Sequence, residues 1–215
     1  QAKMTSETDL IMSGYAVDSD TEFNIPSGWS LIGNLNQSPE SMESMMSPVT
    51  DNDNLIILKD EVGNVYWPNY SLNNIGNMIP GEGYQVKLGA AADNFAYSSN
   101  SGRLAYVEPI RTVYYEKASN TGNNMVIGLP LTSWEVMPVI GDEIAAYDEL
   151  GRLIGSTTFT GDNVALTVWG DDLTTDTKDG LVIGEKVTFK LWNSDMNTES
   201  TLVVNKWDAG SDIYT

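Results

Sequence analysis

Gly28-Trp29-Ser30-Leu31-Ile32-Gly33-Asn34-Leu35 opens the stretch that decides the fold, and Pro80-Gly81-Glu82-Gly83-Tyr84-Gln85-Val86-Lys87-Leu88 closes it. Trp29 to Gly33 alternates large apolar with small residues, and Tyr84 to Leu88 alternates apolar with polar, so both read as half-covered strands. Between them Leu55-Ile56-Ile57-Leu58 is an apolar run of strand length, and Val65-Tyr66-Trp67 resumes a strand that Pro68 stops. Asp60-Glu61-Val62-Gly63-Asn64 is hairpin chemistry, with Gly63 supplying the positive φ. Ser38-Pro39-Glu40 predicts a helix start, with Ser as cap, Pro at the first position and Glu at the positive end. Met42, Met45 and Met46 then share one helical face, and Pro48 ends the run.

Moving outward, residues 89–102 turn small and polar, with a short strand expected around Asn94–Tyr97 and a linker at Ser98–Gly102. That joint divides the chain into residues 1–102 and 103–215, expected to be separate cooperative units with a limited interface. Gln1-Ala2-Lys3-Met4 with Asp9 matches Gln85-Val86-Lys87-Leu88 with Asp93 at one offset. Residues 1–15 therefore read as the tail of a preceding copy of the same repeat, or as chance similarity between two amphipathic strands. The second half carries strand patterns at Thr112–Lys117, Asn124–Leu129, Glu143–Tyr147, Leu153–Phe159, Asn163–Trp169, Glu185–Leu191 and Thr201–Val204. Short strands at this spacing predict an antiparallel β-sandwich. Asp148-Glu149-Leu150-Gly151 repeats the hairpin chemistry of Asp60 to Gly63, which predicts pairing of Leu58 with Val65 and of Ala146 with Leu153. The two turns are expected to lie in independent cores.

The chain has 215 residues, a formal charge of −19 from 11 basic and 30 acidic residues, and neither cysteine nor histidine. The charge argues against nucleic acid and anionic lipid, both of which need a basic footprint. It suits solubility in a saline or calcium-containing medium. Without cysteine there is no disulfide and no thiolate metal site, and without histidine the commonest general base is missing. No apolar run reaches membrane-helix length, so no membrane insertion is expected. No G-x-S-x-G elbow, phosphate loop or H-E-x-x-H occurs, and carboxylate pairs in so acidic a chain carry no information, so the expectation is that the chain is not an enzyme.

Two candidate sites stand out. Asp171, Asp172, Asp176, Asp179 and Glu185 crowd the segment around Gly170–Gly184, an oxygen-rich composition suited to calcium. The spacing is not that of an EF-hand, since placing Gly180 at the invariant glycine puts Thr175 and Lys186 at the end ligand positions. An exposed acidic loop is the other reading. Tyr66, Trp67 and Tyr70 cluster around Pro68 and could offer a sugar-stacking surface, against the alternative that Trp67 packs the core. Trp134, Trp169 and Trp192 read as sandwich packing, and the methionine face as a cover for the first sheet.

The order of these elements resembles repeat modules of large secreted and cell-surface proteins of Bacteroidota, which are commonly exported by the type IX secretion system. The first half carries the resemblance in Gly28–Gly33, Lys59–Pro68 and Ile75–Gln85. The second carries it in Thr121–Gly128, Gly141–Asp148 with Gly151, Ile154–Ser156, Ala165–Asp172, Asp179–Glu185 and Thr188–Trp192. The resemblance implies a small β-rich module with one short helix, followed by an immunoglobulin-like or cohesin-like sandwich. It also implies an extracellular or cell-surface location and a non-catalytic role as stalk, adhesin or filament component. Neighbouring modules or subunits, and surface polysaccharide, are the implied partners. An accessory carbohydrate-binding region of a secreted enzyme is the second functional expectation.

Overall fold

The computed structural model describes residues 14–15, 17–98 and 112–215. The expected preceding-repeat tail falls almost entirely outside them, and so does the boundary at 102/103.

The fold is mainly β, built from antiparallel sheets with one α-helix among the described residues. In the first half the strands are β1 (Phe23–Ile25), β2 (Gly28–Gly33), β3 (Glu40–Ser41), β4 (Leu55–Lys59), β5 (Val65–Trp67), β6 (Leu72–Asn73), β7 (Asn77–Met78), β8 (Gly83–Leu88) and β9 (Ala92–Phe95). Five of them form one sheet in the order β2-β8-β4-β5-β6, while β1 pairs with β9 and β3 with β7. Helix α1 (Met42–Thr50) covers one face, burying Met42, Met45, Met46 and Val49 against Leu55, Leu58, Met78, Tyr84 and Val86.

The helix begins later than Ser38-Pro39-Glu40 suggests. Glu40-Ser41 is drawn into β3, opposite Asn77-Met78, and Ser41 is the cap, its hydroxyl accepting from the Ser44 N–H. Pro48 lies inside the last turns and does not stop the helix before Thr50. Tyr84 fastens the Pro80-Gly81-Glu82-Gly83 turn: its buried hydroxyl accepts from the Ile79 N–H at 2.7 Å and donates to the Glu82 carboxylate at 3.0 Å.

In the second half the strands are β10 (Asn124–Leu129), β11 (Glu143–Tyr147), β12 (Leu153–Thr158), β13 (Val164–Trp169), β14 (Thr188–Asn193) and β15 (Thr198–Leu202). The β10-β13 ribbon packs on the four-stranded sheet β12-β11-β14-β15, a sandwich-like arrangement around Ile127, Ile144, Ile154, Leu166, Val168 and Phe189. The expected strand over Thr112–Lys117 does not form. The buried Glu143 carboxylate accepts the N–H groups of Val113, Tyr114 and Tyr115, so this backbone curls around one side chain instead of joining a ladder.

Both hairpins have the expected turn, with the register moved by one or two residues. Lys59 pairs with Val65 and Leu58 with Tyr66, while Tyr147 pairs with Leu153 and Ala146 with Gly155. The Asp60 carboxylate accepts from the Val62 and Asn64 N–H groups, and the Asp148 carboxylate from those of Leu150 and Arg152. Gly63 and Gly151 sit at φ 92° and 78°.

The halves meet through more than a joint. A bulge in β4 between Leu55 and Ile57 turns Leu55 and Leu58 toward the helix and Ile57 to the opposite face. There Ile57, Val65 and Leu72 pack with Ala165 of β13, and Ile56, Trp67 and Val126 flank them. A continuous apolar run is what a strand covered on both faces requires. Four hydrogen bonds join the same surfaces: Thr167 Oγ1 to the Gly63 carbonyl (2.5 Å), Asn163 Nδ2 to the Tyr70 carbonyl (2.6 Å), Lys59 Nζ to Asn124 Oδ1 (2.8 Å), and Asn120 Nδ2 to the Glu61 carbonyl.

Candidate functional sites

The acidic loop uses its carboxylates on its own backbone. Asp171 accepts from the N–H groups of Asp179 and Gly180, and Asp179 accepts from the Asp172 N–H and the Thr175 hydroxyl. Asp172 accepts from the N–H and hydroxyl of Thr174, and Asp176 points to solvent. The bonds of Asp171, Asp172 and Asp179 are local turn locks of the kind Asp readily forms. Among the described residues no group of three or more acidic side chains is arranged to hold a metal ion.

Glu185 belongs to a different cluster. Lys178 Nζ lies 2.6 Å from Glu185 Oε1 and 3.2 Å from Asp148 Oδ2, and both carboxylate side chains are nearly or fully buried. Glu185 also accepts from the Val182 and Glu149 N–H groups. Burial alone would raise both carboxyls, but these N–H donors, those of Arg152 and Leu150 on Asp148, and the shared ammonium outweigh it and hold both below the usual range. The cation a metal would supply is thus already present as Lys178. The cluster ties the Asp148 hairpin to the base of the acidic loop.

Buried carboxylates elsewhere do the same work. Asp142 is fully buried and accepts from the Val139 and Ser194 N–H groups, the Ser194 hydroxyl and the Asn193 amide. With Asp60, Asp148 and Glu143 it makes a set of acidic side chains that fasten loops.

Tyr66, Trp67 and Tyr70 do not form one platform. Consecutive strand residues point to opposite faces, so Tyr66 joins the core beneath α1 while Trp67 packs on the far side of the sheet against the Gly128 backbone of β10. Tyr70 is exposed and meets the Trp67 ring edge-on at 4.5 Å between centroids. Of the other tryptophans, Trp169 is buried, Trp134 packs against the second core near Phe159, and Trp192 stacks on Tyr114.

One aromatic surface escapes a reading by linear clustering. Trp29 of β2 is 51% exposed, and two ammonium groups lie near its ring, Lys59 Nζ at 5.3 Å and Lys87 Nζ at 5.5 Å from the centroid. Trp29 pairs across the strand with Lys87, and Lys59 lies diagonally on the next strand. Burial, and then the charge of Lys87, lowers Lys59 to about 8. The alternation of β2 and β8 announces that Trp29 and Lys87 face one side. The strand order that brings Lys59 beside them comes only with the fold.

No protein-family model, curated protein or solved structure matches this chain.

Proposed function

We propose that this chain is a non-catalytic structural or adhesive segment, a stalk, adhesin or filament component, of a large extracellular or cell-surface bacterial protein. The observation that carries the reading is the use of its inward-facing carboxylates. Asp60, Asp142, Glu143, Asp148 and Asp171 each accept two or more backbone N–H groups or otherwise tie down a loop, which serves shape rather than proton transfer. The third apolar cluster supports it as well, since it joins the halves into a unit suited to transmitting load. The resemblance to exported Bacteroidota modules supplies the habitat, and with it type IX secretion, while the polar joint at Ser98–Gly102 supplies the division into residues 1–102 and 103–215. In this reading the partners are neighbouring modules or subunits.

In-frame removal of this segment from the parent gene tests the proposal. Loss of adhesion or surface assembly with export intact is the expected result. Substrate turnover by the purified chain that a single carboxylate substitution abolishes would overturn it.

A further inference from the structure

We propose that the outer face of the β2-β8 edge binds an anionic polysaccharide, with Trp29 as the stacking surface for a sugar ring, Lys87 as the contact for its acidic groups, and the charge of the buried Lys59 behind them. The inference goes beyond the structural role, and neither depends on the other.

The starting point is an electrostatic anomaly. The chain has 30 acidic and 11 basic residues, so a lysine can easily find a carboxylate. Lys178, Lys186, Lys190 and Lys206 each do. Lys59 and Lys87, like Lys117, have no carboxylate within ion-pair distance among the described residues, and what sets the two apart is that they converge on the same tryptophan. Like charges drawn together without a counterion repel, and an anion placed between them relieves the repulsion. Lys59 is also anchored: its side chain is largely buried and its ammonium donates to Asn124 Oδ1, so little rotamer freedom remains to be lost on binding.

The aromatic component selects the chemical class. A half-exposed indole on a strand is an apolar ring face, which packs against the C–H face of a pyranose as it does against other apolar surfaces. Around it, Leu31 is 73% exposed and Gln85, its cross-strand partner, is exposed too, so apolar contact and an amide lie beside the charges. An acidic sugar polymer combines ring faces, hydroxyls and regularly spaced carboxylates, and this surface offers a counterpart to each. The net charge of −19 opposes an anion at long range, but salt screens that field beyond about 8 Å at physiological ionic strength. The two lysines act inside that distance.

The test uses the intact chain and polygalacturonate, with a neutral dextran as control, in affinity electrophoresis and calorimetry at physiological salt. Polygalacturonate is expected to retard the wild type and dextran to leave it unmoved. Trp29→Ala and Lys87→Ala, both on the solvent face and checked for an unchanged circular dichroism spectrum, are each expected to weaken binding about tenfold. Absence of binding, equal retardation by dextran, or unchanged binding in both variants would overturn the proposal. Self-association of the wild type in sedimentation, lost in Lys87→Glu and unaffected by the polymer, would also overturn it. That result would assign the face to an acidic surface of a second copy.

Discussion

Gly63 and Gly151 occupy the same place in two hairpins of the same design, and alanine at each separates conformational strain from contact between the halves. Both glycines have positive φ, 92° and 78°, where an L-residue costs about 1–2 kcal/mol. Around Gly151 a new Cβ meets nothing within 4 Å, so Gly151→Ala should lose only that strain. At Gly63 the added Cβ would lie 2.9 Å from Thr167 Cγ2, 3.1 Å from Thr167 Cβ and 3.2 Å from Trp169 Cζ2. Both neighbours sit on β13, which its ladder with β10 holds in place, so neither can swing clear. Overpacking of this kind adds about 1–3 kcal/mol. It also stretches the 2.5 Å bond from the Thr167 hydroxyl to the Gly63 carbonyl, worth about 1 kcal/mol. Gly63→Ala should therefore lose about 3–6 kcal/mol against about 1–2 for Gly151→Ala. Urea midpoints of the intact chain measure both. A cycle with Thr167→Ala isolates the contact: the Thr167 change should matter much less once Gly63 is alanine, with a coupling of about 1–2 kcal/mol. Equal losses at the two glycines, or additive effects in the cycle, would refute the claim that the Gly63 hairpin is clamped by the second half.

Lys178→Met should destabilise the chain by about 3 kcal/mol, because it strands two buried carboxylates, and urea titration reads the loss. The folded pKa values of Asp148 and Glu185 are depressed, so their stabilisation is complete above the unfolded carboxylate range near pH 4 and fades as pH falls below it. The acid limb of the stability profile should be shallower in Lys178→Met than in the wild type. Lys87→Gln should move the Lys59 titration upward from about 8, as followed by NMR of its side-chain ε-CH2 group. In the wild type the folded chain releases this proton before the unfolded one, so the Lys59 contribution to stability rises between pH 8 and 10.5, and Lys87→Gln should flatten that rise. Millimolar calcium should leave the melting temperature unchanged, since Asp171, Asp172 and Asp179 already serve the loop backbone. A rise that Asp179→Ala abolishes would restore the loop as a metal site.

Periodicity made the ladders legible. Asn124–Leu129 and Glu143–Tyr147 are strands with the expected bounds, and the methionine face of α1 covers the first sheet as its spacing requires. The misses share one cause, a hydrogen-bond partner distant in the chain. Glu143 took the backbone of residues 113–115 from the strand that their composition favours, and β7 took Glu40-Ser41 from the helix start. The sites were less legible than the fold. Five acids close in sequence look like a cage until Asp171, Asp172 and Asp179 are seen bonded to nearby N–H groups, Glu185 to Lys178, and Asp176 exposed, and three neighbouring aromatics look like a platform until alternation sends Tyr66 and Trp67 to opposite faces. Trp29, Lys87 and Lys59 are far apart in the chain, and only the order β2-β8-β4 gathers them.

Met42, Met45, Met46 and Met78 all have no solvent exposure, so the first core is rich in thioether sulfur in a chain that has no cysteine. Peroxide converts methionine to a polar sulfoxide, which such a core cannot accommodate. While the sheet stays closed, these sulfurs are sheltered and the oxidant meets only outlying methionines such as the 69%-exposed Met196. Each opening of the helix exposes the group at once, and a single oxidation prevents its return. Under oxidant the durability of this module is therefore governed by how often α1 lifts from its sheet, and a slow peroxide pulse with peptide mass mapping would measure that frequency.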